Sequence, residues 1–134
     1  MKIDGQCHCG HVGYEAEIDP DDITICHCTD CQKLTGSAYR VTAVTPTRNL
    51  RLTAHPPKIY RKLGDNGRAR LQSFCPECGS PLFTSGEGED AATTGIRVGT
   101  INQRRALRPA RQIWCRSALP WIHDLVDLPA LERE

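Results

Sequence analysis

Residues 26 to 31 read CHCTDC and set Cys26, Cys28 and Cys31 in one short stretch of chain. Two further clusters accompany them. Cys7 and Cys9 form C-x-C, Cys75 and Cys78 form C-x-x-C, and of eight cysteines only Cys115 stands alone. Thiols spaced this closely are poor disulfide partners and good chelators, and in a reducing compartment clustered thiols mean metal. A fold for this chain therefore has to gather three separate cysteine turns around metal ions.

Zinc in a structural role takes four tetrahedral ligands; in a chemical role it takes three protein ligands and keeps one position exchangeable. Seven clustered cysteines divide as four and three. Cys7, Cys9, Cys75 and Cys78 supply two knuckles, each followed by a glycine, Gly10 and Gly79, where a tight turn aims backbone amides at sulfur. Together they make a closed site that pins the N-terminal hairpin to a distant strand end. Cys26, Cys28 and Cys31 then hold a second zinc whose fourth ligand comes from outside the chain.

Spacing leaves alternatives open. The trio can instead be closed by Cys115, His8, His27 or His11 into a second structural site, and Cys75 and Cys78 can pair with two of the trio, stranding Cys7 and Cys9. His8 and His27 each sit inside a C-x-C, where a side chain tends to point away from the metal. Cys115, in the strand-like QIWCR, reads as a buried thiol on the side of Ile113. Iron is another metal that thiolate sites accept.

Between the cysteines the chain reads as strands and turns. Val12 to Ile18 alternates apolar and polar residues, Asp19 to Asp22 is a turn, and Ile23 to Cys26 is extended. Cys28 to Leu34 forms a short helical turn ended by Gly36. Ala38 to Thr45 is a strand stopped by Pro46, and Lys58 to Leu63 and Arg68 to Phe74 form a hairpin across Gly64 to Gly67. Leu82 to Thr84, Ile96 to Val98 and Gln112 to Cys115 are shorter strands, and no segment sustains a helical period. The pattern is a mainly β domain tied together by metal.

The chain has 134 residues, enough for one domain over 1–134. Its 17 Lys and Arg against 16 Asp and Glu give a formal net charge of +1, so no global field favours nucleic acid or an anionic membrane. The start MKIDGQ carries no apolar run, and the expected location is cytoplasmic.

Taken in order, the motifs CHCGHVGYE, CHCTDCQKLTGS, FCPECGSPLF, IRVGTI and SALPW resemble the glutathione-dependent formaldehyde-activating enzyme family, which also includes proteins related to centromere protein V. The resemblance implies a small, tent-like zinc fold of short antiparallel sheets with two metal sites. It assigns Cys7, Cys9, Cys75 and Cys78 to a structural zinc and Cys26, Cys28 and Cys31 to a catalytic one. It further implies a carbon–sulfur lyase that joins glutathione to formaldehyde or a similar aldehyde, with small-molecule partners only.

Forming that adduct needs a thiolate beside a carbonyl. A free thiol, with a pKa of about 8.5, is mostly protonated at neutral pH, and metal coordination removes the proton. Three protein thiolates leave a zinc site negatively charged, so cations are expected nearby. Lys33 and Arg40 flank the trio in sequence, and they and Arg116 and Trp121 are candidates to hold glutathione, with Ser37 as a hydroxyl donor. Two other functions share the cysteines: a non-catalytic module with two structural zincs, and a thiol-rich metal or redox buffer. Loss of one zinc on replacing Cys115 would mark the first. Retention of the fold without metal would mark the second.

Overall fold

The computed structural model describes residues 1–134. Its strands are β1 (Lys2–Gln6), β2 (Gly13–Glu17), β3 (Ile23–Cys26), β4 (Arg40–Pro46), β5 (Leu50–Leu52), β6 (Lys58–Leu63), β7 (Ala69–Phe74), β8 (Pro81–Ser85), β9 (Thr93–Arg97) and β10 (Arg111–Ile113). One α-helix, α1 (Thr29–Thr35), follows β3. No helix is long and apolar enough to cross a membrane.

Alternation builds the smaller layer. β1 turns Ile3 and Gly5 inward, and β2 turns Tyr14 and Ala16 inward while Glu15 and Glu17 face solvent. The two pair antiparallel with Gly5 opposite Tyr14, and β5 extends the sheet in the order β1-β2-β5. Glycine is required at position 5. A Cβ there would lie 2.3 Å from the Tyr14 hydroxyl and 2.4 Å from the Thr100 carbonyl oxygen.

The larger sheet runs β10-β3-β4-β9-β8-β7-β6. Its Ile23, Ala43, Leu82, Phe83 and Ile96 join Ile3, Val12, Tyr14 and Ile18 of the first layer in one core. Tyr14 meets Phe83 edge to face, with ring centroids 5.0 Å apart. The fold is thus mainly β, as the strand pattern implies.

Differences from the sequence reading fall at the short and polar segments. β1 and β5 go unread, because KIDGQ has one strong apolar residue and LRL is only three residues long. β9 starts at Thr93, ahead of the expected Ile96, since its pairing with β4 begins at Pro46 opposite Thr93. The sheets are antiparallel as expected except at one edge, where β10 pairs parallel with β3, Ile113 opposite Cys26. A parallel neighbour needs a long crossover, which here is all the chain between those strands. The expected strand through Cys115 ends at Ile113: Trp114 takes a left-handed φ of 56° and turns the chain into a 3-10 turn at Cys115–Ser117.

This layout sets two sites. The β1–β2 and β7–β8 turns carry the two cysteine knuckles, and the end of β3 carries the trio between β10 and the start of β4.

Candidate metal centres

The two knuckles are built alike. Gly10 N–H donates to the Cys7 carbonyl at 3.1 Å, and Gly79 N–H to the Cys75 carbonyl at 2.9 Å. Both glycines are left-handed, with φ of 80° and 76°, which lets each turn close just past its second cysteine. Backbone amides reach the sulfurs as expected: Val12 N–H donates to Cys7 Sγ at 3.2 Å, and Glu77 and Cys78 N–H groups donate to Cys75 Sγ at 3.4 and 3.5 Å. Such donors favour thiolate over thiol.

The four sulfurs lie within 4.8 Å of one another, with Cys7 and Cys75 buried and Cys9 and Cys78 exposed. Cys7 and Cys9 sulfurs are 3.6 Å apart, and those of Cys9 and Cys75 3.8 Å. Four sulfurs each about 2.3 Å from a shared tetrahedral ion stand about 3.8 Å from one another, so this donor set fits zinc. The grouping also excludes pairing of Cys75 and Cys78 with the trio. Ser80, which the sequence reading missed, joins the knuckles. Its hydroxyl accepts the His8 N–H at 3.0 Å and lies 3.2 Å from Cys78 Sγ, drawing that thiol down to about 5.

The trio is assembled by a strand end and a helix start. Cys26 closes β3, Cys28 caps α1 with extended φ and ψ of −62° and 153°, and Cys31 N–H in the first turn donates to Cys28 Sγ at 3.3 Å. Gly36 ends the helix at a left-handed φ of 63°, as expected. The three sulfurs lie within 4.8 Å of one another and are half-buried, and no other His, Cys, Asp or Glu donor joins them. A hydrogen bond from Cys31 draws the Cys26 thiol down to about 5 despite its burial, while Cys31 is pushed up in return. Three soft donors converging in this way fit a zinc ion with one position left over.

The four chain groups considered for that position stand elsewhere. Cys115 is exposed in its 3-10 turn rather than buried. His8 is exposed, and His11 stacks on His55. His27 points away from the cluster and is 1% exposed, its Nε2 2.7 Å from Gln112 Oε1 and its ring edge-on to Tyr39. Gln32 supplies a brace that the sequence did not reveal. Its Nε2 donates to the carbonyls of His27 at 2.8 Å and Ser117 at 2.9 Å, tying the cysteine loop to the C-terminal turn.

A cavity of about 340 Å³ opens onto all three sulfurs. Arg40 is buried in its wall. Lys33, on the exposed face of α1, lines a neighbouring cavity that shares Arg40. Ser37, Arg116 and Trp121 are exposed and line neither of these two cavities. The site also contains Arg97, Arg70 and Gln72, which are far from the trio in sequence. Alternation within β7 and β9 was the available signal for these, and it does not say which sheet neighbour they meet.

Residues 2–117 match the family model described as glutathione-dependent formaldehyde-activating enzyme. A protein of Colletotrichum graminicola carrying that family name is 28% identical over 80 residues, which cover 58% of this chain and 41% of that protein. Another, of Emericella nidulans, is 32% identical over 79 residues, covering 58% and 39%. The match thus spans about two fifths of the length of these curated relatives. A crystal structure of a Rhodobacter sphaeroides protein is similar in fold, with a TM-score of 0.61 at 22% identity over 84% of this chain and 99% of that one.

Proposed function

The chain belongs to the glutathione-dependent formaldehyde-activating family, and from that premise we propose that it joins glutathione to a small aldehyde and cleaves the adduct in reverse, as a carbon–sulfur lyase. The observation that carries this reading is the trio itself. Three half-buried thiols face a cavity, and the chain brings no fourth donor. A structural site has no use for a missing ligand, whereas a site that takes up a thiol needs one.

In this reading Cys7, Cys9, Cys75 and Cys78 hold one zinc and Cys26, Cys28 and Cys31 hold the other. When bound to the trio, the ion supplies the acidification and seating of an incoming thiol. In the overall reaction the sulfur bonds to the aldehyde carbon, the C=O π pair moves to oxygen, and a proton ends on that oxygen. Glutathione is the proposed thiol and formaldehyde the reference aldehyde.

The chain's own residues prepare this. Arg40 lies close enough that all three sulfurs act on it, and its charge offsets the thiolates. Gln32 and the buried His27 fix the loop that spaces Cys26 from Cys28. Lys33 lines the adjoining cavity, and its proposed role is to meet a carboxylate of glutathione. Trp121 and Arg116 line neither cavity beside the trio, so no glutathione contact is proposed for them. Clustered thiols kept for metal suit a reducing compartment, and the location proposed is the cytoplasm.

The test is a glutathione titration of the cobalt-substituted protein, following the sulfur-to-cobalt charge-transfer and d–d bands. A saturable change, lost in Cys28→Ser and kept in Cys115→Ser, supports an outside thiol at the trio. Unchanged bands with two metals bound would overturn the enzyme reading in favour of a two-zinc module.

A further inference from the structure

Five cations line the cavity beside the trio, namely Arg40, Lys62, Arg70, Arg97 and Arg111, against one carboxylate, Asp30. Lys62 engages Asp30, and Arg111 engages Asp22. Arg40, Arg70 and Arg97 take part in none of the ion pairs of the structure.

Two of these three are deeply enclosed, Arg40 at 4% exposure and Arg97 at 7%. Their hydrogen-bond acceptors are neutral. Gln72 Oε1 accepts from Arg97 Nη2 at 2.8 Å and from Arg40 Nη1 at 3.4 Å, and the Thr42 hydroxyl accepts from Arg97 Nη1 at 2.8 Å. Arg40 Nε and Nη2 and Arg97 Nε find no hydrogen-bond partner within the protein. Burial pulls both guanidiniums below the ordinary arginine range, and for Arg97 the nearby Arg40 adds to the effect. Buried cations with idle N–H groups and no carboxylate partner are costly, and they persist where an anion is to be received.

The charges fix what that anion is. A divalent ion on three thiolates leaves one negative charge, and an incoming thiolate makes it two. Three unpaired guanidiniums exceed this by one. We propose that the surplus receives a carboxylate carried by the carbonyl substrate, so that the preferred carbonyl compound is an anionic 2-oxo acid, with glyoxylate the smallest member of the class and its aldehyde, rather than formaldehyde. This rests on the function proposed above and names the substrate class of the same site.

Position separates the two sources of a carboxylate. In a glutathione seated by its sulfur, the glycine carboxylate is separated from that sulfur by a peptide unit and so stands several bonds further from the reacting carbon. In a 2-oxo acid the carboxylate is bonded to the carbon that the sulfur attacks, and it therefore lands beside the trio, in the cavity that Arg97 lines together with Cys26, Cys28 and Cys31. The reaction balances as a simple addition: the thiol sulfur bonds to the aldehyde carbon, the C=O π pair moves to oxygen, and the thiol proton ends there, giving a 2-hydroxy-2-thio carboxylate.

Two measurements on the zinc-loaded full chain test this. By calorimetry, propionate is expected to bind saturably at roughly millimolar concentration and its neutral isostere propionamide not to bind. Arg97→Gln is expected to weaken propionate at least about tenfold and Arg97→Lys less, with zinc content and melting checked for both. In adduct formation, glyoxylate is expected to exceed formaldehyde in kcat/KM by about tenfold or more, and Arg97→Gln to abolish that preference with glutathione and with uncharged 2-mercaptoethanol alike. Failure of propionate to bind overturns the inference. So does a loss of preference seen only with glutathione, which would assign the arginines to the tripeptide's own carboxylate. Propionate binding without uptake of any thiol would overturn the proposed function, and with it the carbonyl assignment, while leaving an anion site in place.

Discussion

The Ser80 hydroxyl accepts the backbone N–H of His8 at 3.0 Å across 72 residues of sequence, and so ties one cysteine knuckle to the other. The same oxygen stands 3.2 Å from Cys78 Sγ. Ser80→Ala removes both contacts without touching a ligand. Its expected effect is a loss of about 1 kcal/mol in stability and faster chelator-driven release of one metal equivalent of two. Release kinetics with a chromogenic chelator read this directly, and equal acceleration of both metals would contradict it.

The two clusters differ in what they hold up. Cys75 is fully buried between β7 and β8, and its partners bind the first hairpin to the large sheet, whereas the trio sits half-buried at a sheet edge. Cys75→Ser is therefore expected to leave the chain unfolded at 25 °C, and Cys28→Ser to lose one metal equivalent with the far-UV circular dichroism intact. A folded Cys75→Ser variant would mean that the apolar core suffices without the first metal.

Gly5 and Gly79 are needed for different reasons, and alanine at each should separate them. At Gly5 the added methyl meets the Tyr14 hydroxyl and the Thr100 carbonyl, so β1 must move; the expected cost is about 2–3 kcal/mol in denaturant unfolding. At Gly79 the methyl meets nothing within 4 Å, and only the left-handed backbone resists, at about 1–2 kcal/mol. Equal costs would show that packing at Gly5 relaxes freely.

What could be read from the sequence depended on local signals. The β2 alternation, the α1 turn ended by Gly36 and the Lys58 to Phe74 hairpin all announce themselves within a few residues, and the structure keeps them. The grouping of Cys7 and Cys9 with Cys75 and Cys78 was also legible, because the same knuckle chemistry recurs with a glycine after it. Cys115 was misread because alternation through QIWCR ignores the left-handed turn at Trp114, a residue type that rarely adopts one. Arg97 was missed for a different reason. Nothing in IRVGTI distinguishes a solvated arginine from one enclosed beside the trio, since that depends on β9 lying next to β4 and β8. Lys33, closer to the trio in sequence, lies instead on the outer face of α1.

Tyr14 makes the alkaline limit of the fold testable. Burial raises its phenol to about 12, although the Thr100 hydroxyl 2.8 Å away eases ionisation. The unfolded tyrosine loses its proton near pH 10, so between pH 10 and 12 the unfolded state binds fewer protons than the folded one, and stability falls as pH rises. The loss from this group approaches about 2–3 kcal/mol at the upper end of the window. The measurement is the difference between the wild type and Tyr14→Phe, in which the other groups that titrate in this range cancel. Denaturant unfolding from pH 9 to 12 should show the wild type losing stability more steeply than the variant by up to one proton per molecule. Parallel curves would mean that the phenol ionises without opening the Tyr14–Phe83 contact.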